Sequence, residues 1–448
     1  MIYLHVPFCE SRCTYCGFFS TVIPGNAQKI DKGVILSNAK NLCFTAFADA
    51  VLAEIADRRD EIARTLDVNT LYIGGGTPSV LPLDVLSRIV NVILSNAPKI
   101  DKGVILSNAQ KSDKKVILSN AKNLSPWREF TIEVNPEDIV EKGEEYVRGL
   151  LALGVNRVSM GVQSFDDGIL KWMNRRHDSA TAIEAFRILR HCGVSNISID
   201  LIFGLPQLSE AIWSETIGKA LVLGPEHISA YQLSIEEGSA LEKLMAKGKF
   251  EEASDEQCRR QYDILCERLS QAGYHHYEVS NFALPGREAV HNSAYWRRVP
   301  YVGLGPGAHS LSAGSVRSWN SEEIPRRMAD GTLQTYSREE EHLTPKDIRI
   351  ERIMLALRTD TGLPEAELRS LAGDQIVDTL LSEGALVKVE DPSVTAFPQD
   401  DTELTCHSEP GRRTVPEPGR RTVPEPGRRI RIPEDHFFTS DDIIRALI

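Results

Sequence analysis

Short apolar runs alternate with amphipathic stretches through the first half of this chain, and that alternation constrains its fold more than any other feature. Candidate strands fall at residues 2–6, 71–73, 130–134, 157–161, 197–202 and 228–233, with helical periodicity at 47–66, 82–92, 179–191 and 209–223 between them. Strand–helix–strand connections are crossovers, and crossovers generate a parallel sheet. Six such units fit an open or partial (β/α) barrel. A doubly wound sheet has the same period, so periodicity alone leaves both open.

Repeats interrupt this pattern. Val-Ile-Leu-Ser-Asn-Ala recurs from Val34, Val92, Val104 and Val116, and Glu-Pro-Gly-Arg-Arg from Glu409, Glu417 and Glu425. A solenoid needs adjacent repeats that bury one another, whereas these are separated by unrelated sequence. Residues 25–44, 95–126 and 392–428 are therefore expected to be surface loops without fixed structure. The remaining chain divides into a barrel over 1–240, a middle region over 241–340 and a C-terminal region over 341–448.

The 448 residues carry a formal net charge of −12. So acidic a chain has no general attraction for phosphate backbones, so nucleic acid is not an expected partner. No run approaches the roughly twenty apolar residues that span a bilayer, and the first residues lack the basic start of a signal peptide. A cytoplasmic location is expected, where clustered thiols bind metal or do chemistry.

Of eight cysteines, Cys9, Cys13 and Cys16 fall within eight residues, directly after the first strand. Cys43, Cys192, Cys258, Cys266 and Cys406 are scattered and read as small buried hydrophobes. Three soft thiolates on one loop suit an iron–sulfur cluster or zinc. Structural zinc closes with four ligands, and no second cysteine pair follows. Gly74-Gly75-Gly76-Thr77-Pro78, Glu133-Val-Asn135-Pro136, Gly161-Val-Gln163-Ser164 and Asp200 sit at or near the ends of the following strands. The C-terminal strand ends are where a barrel builds its site.

Cys9-x-x-x-Cys13-x-x-Cys16, with Tyr15 before the third cysteine, resembles the radical S-adenosylmethionine (SAM) superfamily. That resemblance implies a [4Fe–4S] cluster held by the three thiolates, with the fourth iron open to the amino and carboxylate groups of SAM. Tyr3-x-His5-x-Pro7-Phe8-Cys9, Gly74–Pro78, Gly161–Ser164, Asn174-Arg175 and Asp200-Leu-Ile-Phe-Gly-Leu-Pro206 are similar to the oxygen-independent coproporphyrinogen III oxidase group. The likeness implies a partial (β/α)6 radical SAM barrel of α/β class, with a C-terminal α+β region resembling a winged-helix module. It also implies SAM contacts from Tyr3, Tyr15, Gly75, Gly76, Thr77, Glu133, Gln163, Arg175 and Asp200. The glycine amides are expected to approach the ligand closely.

Two activities divide that group. The oxidase carries a fourth cysteine two residues past the third, where this chain has Phe18, and a longer segment ahead of the cluster. The heme-chaperone branch carries His-Asn-x-x-Tyr-Trp, matched here by His291-Asn292-Ser293-Ala294-Tyr295-Trp296. Resemblance to that branch implies heme as cargo, His291, Asn292, Tyr295 and Trp296 at the heme site, and an acceptor protein of unstated identity. Membrane association is expected only through that acceptor. Oxidative decarboxylation of coproporphyrinogen is the alternative.

Overall fold

The computed structural model describes residues 1–23, 33–65, 68–96, 127–313, 315–325, 335–390 and 428–448, without side chains over 33–39. The described residues form two compact units, Met1–Ile348 and Arg349–Ile448.

In the first unit six parallel strands stand side by side in chain order: β1 (Ile2–Val6), β2 (Thr70–Gly75), β3 (Glu129–Val134), β4 (Arg157–Gln163), β5 (Ile197–Phe203) and β6 (His227–Gln232). Helices α1 (Gly33–Asp57), α2 (Leu83–Asn96), α3 (Pro136–Ala152), α4 (Ser179–His191) and α5 (Glu210–Leu223) make the crossovers, so the alternation in sequence is a (β/α)6 partial barrel. Helix α6 (Asp255–Gln271) then leads to β7 (His275–Glu278) and β8 (Asn281–Ala283), and β8 pairs antiparallel with both β6 and β7. Helix α7 (Val290–Trp296) precedes β9 (Val302–Leu304), which pairs parallel with β1 on its free side.

Side-chain alternation along the strands decides what faces what. In β4, Val158, Met160 and Val162 are fully buried apolar residues. Their neighbours Arg157, Ser159, Gly161 and Gln163 line the barrel cavity instead. Period two thus sends one set to the helices and the other to the lumen. β3 repeats this with Phe130 and Ile132 in the core and Glu133 in the cavity. A lumen of polar side chains inside an apolar sleeve is the result.

The loop expected over 25–44 is corrected in part. From Gly33 the chain is already helical, and the repeat copies at Val34 and Val92 are helix in α1 and α2. The physical reason lies in packing: Phe44 and Phe47 are buried against Phe8, with ring centroids 5.2 and 5.4 Å away in edge contacts. Cys43 on the same helix is exposed rather than buried, while Cys258 is buried as expected. The copies at Val104 and Val116, the Pro-Gly-Arg-Arg tract up to Gly427 and Cys406 lie outside the described residues.

The second unit contains helices Glu365–Ala372, Asp374–Ser382 and Ser440–Leu447 and a three-stranded antiparallel sheet with Arg429–Arg431 between Leu363–Pro364 and Val387–Val389. Leu368, Val377, Ile430, Phe437 and Ile444 form its core. Among the described residues, no helix is long and apolar enough to cross a membrane.

Candidate functional site

A cavity of about 500 Å³ runs through the barrel lumen from the cysteine loop inward. Its size suits one ligand of cofactor dimensions. Cys9, Cys13 and Cys16 line its mouth. The loop between them is pinned at several points. Phe8–Cys9 pairs with Thr21–Val22, closing the loop on itself. The Thr14 amide donates to the Met173 carbonyl at 3.1 Å, and the Leu241 amide donates to the Thr14 carbonyl at 3.0 Å. Asn174, in the left-handed region at φ 57°, donates its side-chain amide to the Arg12 carbonyl at 2.8 Å.

Donors converge on the sulfurs. Cys9 Sγ lies 3.4 Å from Thr77 Oγ1, and an Arg175 guanidinium nitrogen donates to Cys13 Sγ at 3.5 Å. The other terminal nitrogen of Arg175 donates to Asn135 Oδ1 at 2.8 Å and to the Gly161 carbonyl at 2.7 Å, while its Nε is buried without a partner. Burial pushes the thiols of Cys9 and Cys16 above the usual range. Among the described residues no three His, Cys, Asp or Glu side chains surround a single-ion position.

Deeper in the lumen sit two carboxyl groups. Glu133 accepts from Tyr72 Oη at 2.7 Å and from the Gly75 amide at 3.1 Å. Burial pushes its carboxyl up to about 7, with a further upward push from Asp200. Asp200, bonded to Ser159 Oγ at 3.3 Å, is raised by burial to about 6. Gln163 ends β4 at φ 66°, beside a register shift against β5. A non-glycine residue there is strained, and its side chain lines the cavity.

Of the nine residues expected to contact SAM, eight line this cavity: Tyr15, Gly75, Gly76, Thr77, Glu133, Gln163, Arg175 and Asp200. Tyr3 is the exception. Its hydroxyl bonds His5 Nδ1 at 3.1 Å and its ring leans on Tyr72, behind the lining. The expectation for the glycine amides also needs correction. Gly75 N–H donates to Glu133, and Gly76 N–H donates to the Val6 carbonyl at 2.8 Å. Glycine is required at 75 because φ is 111° and a Cβ would meet the His5 ring at 2.7 Å. Arg157, Ser159, Ser229 and Tyr231 also line the lumen, beyond the residues expected from the sequence. Two-residue spacing back from Gly161 along β4 was the available signal for the first two.

His291-Asn292-x-x-Tyr295-Trp296 lies elsewhere. Glu129, the first residue of β3, caps α7 by accepting from the amides of Val290 at 2.7 Å and His291 at 3.0 Å. Thr70, the first residue of β2, bonds His291 Nδ1 at 2.8 Å. The motif helix is therefore fixed to the N-terminal strand ends, the floor of the barrel, opposite the cysteines. His291 is 1% exposed, and Tyr295 Oη occupies its Nε2 at 3.1 Å. Both ring nitrogens are engaged, and burial lowers the imidazole to about 3. The resemblance places His291 at the heme site, whereas in this packing its imidazole is closed off on both nitrogens. Tyr295 packs edge-on to Tyr301 at 4.7 Å, Trp296 bonds Glu278, and only Asn292 of the motif reaches the cavity.

Comparison with known proteins agrees with this architecture. The model of the radical SAM superfamily matches residues 3–220. The heme chaperone HemW of Synechocystis is 30% identical over 383 residues, covering 82% of this chain and 80% of that protein. The heme chaperone HemW of Bacillus subtilis is 33% identical over 315 residues, covering 70% and 71% respectively. Among solved structures, the coproporphyrinogen III oxidase HemN of Escherichia coli has a TM-score of 0.66 at 20% identity, covering 100% of this chain and 89% of its own; that likeness shows the fold. With three cysteines at the mouth of a (β/α)6 barrel and relatives of this similarity over most of their length, the chain belongs to the heme chaperone HemW family of radical SAM proteins.

Proposed function

We propose that this protein is a heme chaperone: it binds heme and passes it to an acceptor protein, and it carries a [4Fe–4S] cluster on Cys9, Cys13 and Cys16 with exchangeable SAM. The observation that carries the reading is that three thiols, and only three among the described residues, open onto one lumen with polar walls. Three thiolates leave one iron of a cubane without a protein ligand. The lumen offers what an amino-acid cofactor needs: a buried cation at Arg175 for a carboxylate, and carboxyl groups at Glu133 and Asp200 for hydroxyl or ammonium donors. When bound, the cluster supplies an electron and an iron site for SAM.

The chain's own residues do the positioning. Arg175 ties the cysteine loop to β3 and β4 by bonding Cys13, Asn135 and Gly161 at once. Thr77 bonds Cys9 from the turn after β2. Donors to thiolate sulfur adjust cluster potential.

The second reading, coproporphyrinogen oxidation, is favoured by the shared fold with HemN. Phe18 occupies the place of that enzyme group's fourth cysteine, which supports the chaperone instead. Anaerobic reconstitution separates the two. The chaperone reading expects about four irons per chain, a spectrum altered by SAM, and a heme complex that loses its heme to an acceptor. Turnover of coproporphyrinogen would overturn it.

A further inference from the structure

We infer that heme docks across the barrel mouth, with its porphyrin face on Phe18 and a propionate on Arg12. This location rests on the chaperone reading and goes beyond it.

Three observations lead there. First, the lumen has room for one cofactor-sized ligand. With SAM in it, the lumen has no space for a second ligand as large as heme, which must bind outside it. Second, Phe18 lines that opening with 71% of its surface exposed, the most exposed aromatic side chain among the described residues. A floppy loop does not explain the exposure, because both neighbours of Phe18 are anchored. Gly17 fits so closely against Glu236 that a Cβ would come within 2.4 Å of that residue's own Cβ. Phe19 stacks on the His5 ring at 6.1 Å, and its carbonyl bonds His5 Nε2 at 3.0 Å. The backbone therefore holds the Phe18 ring out beside the thiols. Tyr231, 43% exposed, opens onto the same cavity.

Third, the charge is right. Arg12 lies on the same loop, is exposed and lines the mouth, and its guanidinium forms no ion pair with any described residue. The neighbouring cations differ: Arg176 pairs with Glu10 at 2.8 Å, and Lys40 pairs with the same carboxylate at 2.7 Å. A flat apolar ring edged by carboxylates matches an exposed aromatic face beside a cation that has no ion-pair partner among the described residues. His291 offers no competing seat, being buried with both nitrogens bonded.

The test is an absorbance titration of the full chain, reconstituted with its cluster, using hemin and hemin dimethyl ester. Phe18→Ala is expected to weaken hemin binding roughly tenfold, and Phe18→Trp to retain it. Arg12→Gln is expected to erase the preference for hemin over its ester, on the order of threefold, while leaving ester binding unchanged. Iron content and the spectral response to SAM should stay at wild-type levels in all three, showing that the mouth is intact. Wild-type affinity for both ligands in Phe18→Ala and Arg12→Gln would overturn this location and leave the chaperone reading standing. A wild-type chain that binds neither ligand would overturn both.

Discussion

The two ends of this barrel are made from similar polar residues and have opposite characters. At the mouth and in the lumen behind it, polar groups keep unmet capacity: Arg175 Nε has no partner, and Glu133 and Asp200 hold their protons unusually tightly. At the floor, Glu129, Thr70, His291 and Tyr295 satisfy one another completely. A binding site retains unspent hydrogen-bonding capacity, while a structural plug uses its capacity up. Residue type does not separate them, since both ends carry Glu, Tyr and Thr.

That contrast can be broken most decisively at the cysteines. Replacing any of Cys9, Cys13 or Cys16 by Ala should take iron from about four per chain to near none after reconstitution, with little change in thermal midpoint of the metal-free protein. A large fall in that midpoint would make the mouth structural. His291→Ala should do the reverse, costing about 2–4 kcal/mol in denaturant unfolding through a cavity and two orphaned partners, with iron binding intact in the folded fraction. A stable His291→Ala chain would sink the plug.

Acid titration of stability should run in opposite directions at the two ends. Glu133 has its folded value raised from 4.5 to about 7, so the folded state holds that proton more tightly than the unfolded chain. Its ionisation therefore removes stability as pH rises between those values. His291 has its folded value lowered from 6.5 to about 3, so its contribution is complete above 6.5 and is lost as pH falls toward 3. Glu133→Gln should flatten the loss toward neutral pH, raising stability at pH 8 by on the order of 2 kcal/mol relative to wild type. Equal pH profiles for wild type and variant in metal-free protein would count against the buried carboxyl. The smallest effect is expected at Gln163. Gln163→Gly relieves the left-handed backbone and should stabilise by about 0.5–1 kcal/mol while weakening SAM binding in a filter or spectral assay.

Much of the mouth was legible beforehand because its parts are local. Cys9, Cys13 and Cys16 follow a strand, Gly75 and Gly76 end one, and chain connectivity alone brings strand ends together. The floor was not legible, because it depends on partners far apart in sequence. Nothing near His291 announces that Thr70 and Glu129 will meet it, so a motif of His, Asn, Tyr and Trp reads as a ligand site when considered alone. Tyr3 stands behind the lining for a related reason: alternation gives it a face, but its hydroxyl is bonded to the His5 ring beside it. The start of α1 was missed because a repeated hexapeptide looks like an insertion, whereas Phe44 and Phe47 draw the chain after it onto Phe8. Tertiary packing overrode the local signal there.

The pairing of β1 with β9 sets an order of events during synthesis. Ile2, Tyr3 and Leu4 align with Val302, Gly303 and Leu304, and the Val302 amide donates to the Met1 carbonyl. The strand that leads directly into the cysteine loop thus leaves the ribosome about three hundred residues before its outer neighbour. Until then one side of it is a bare sheet border open to wrong partners, and the strand that carries the cysteine loop lacks its outer support.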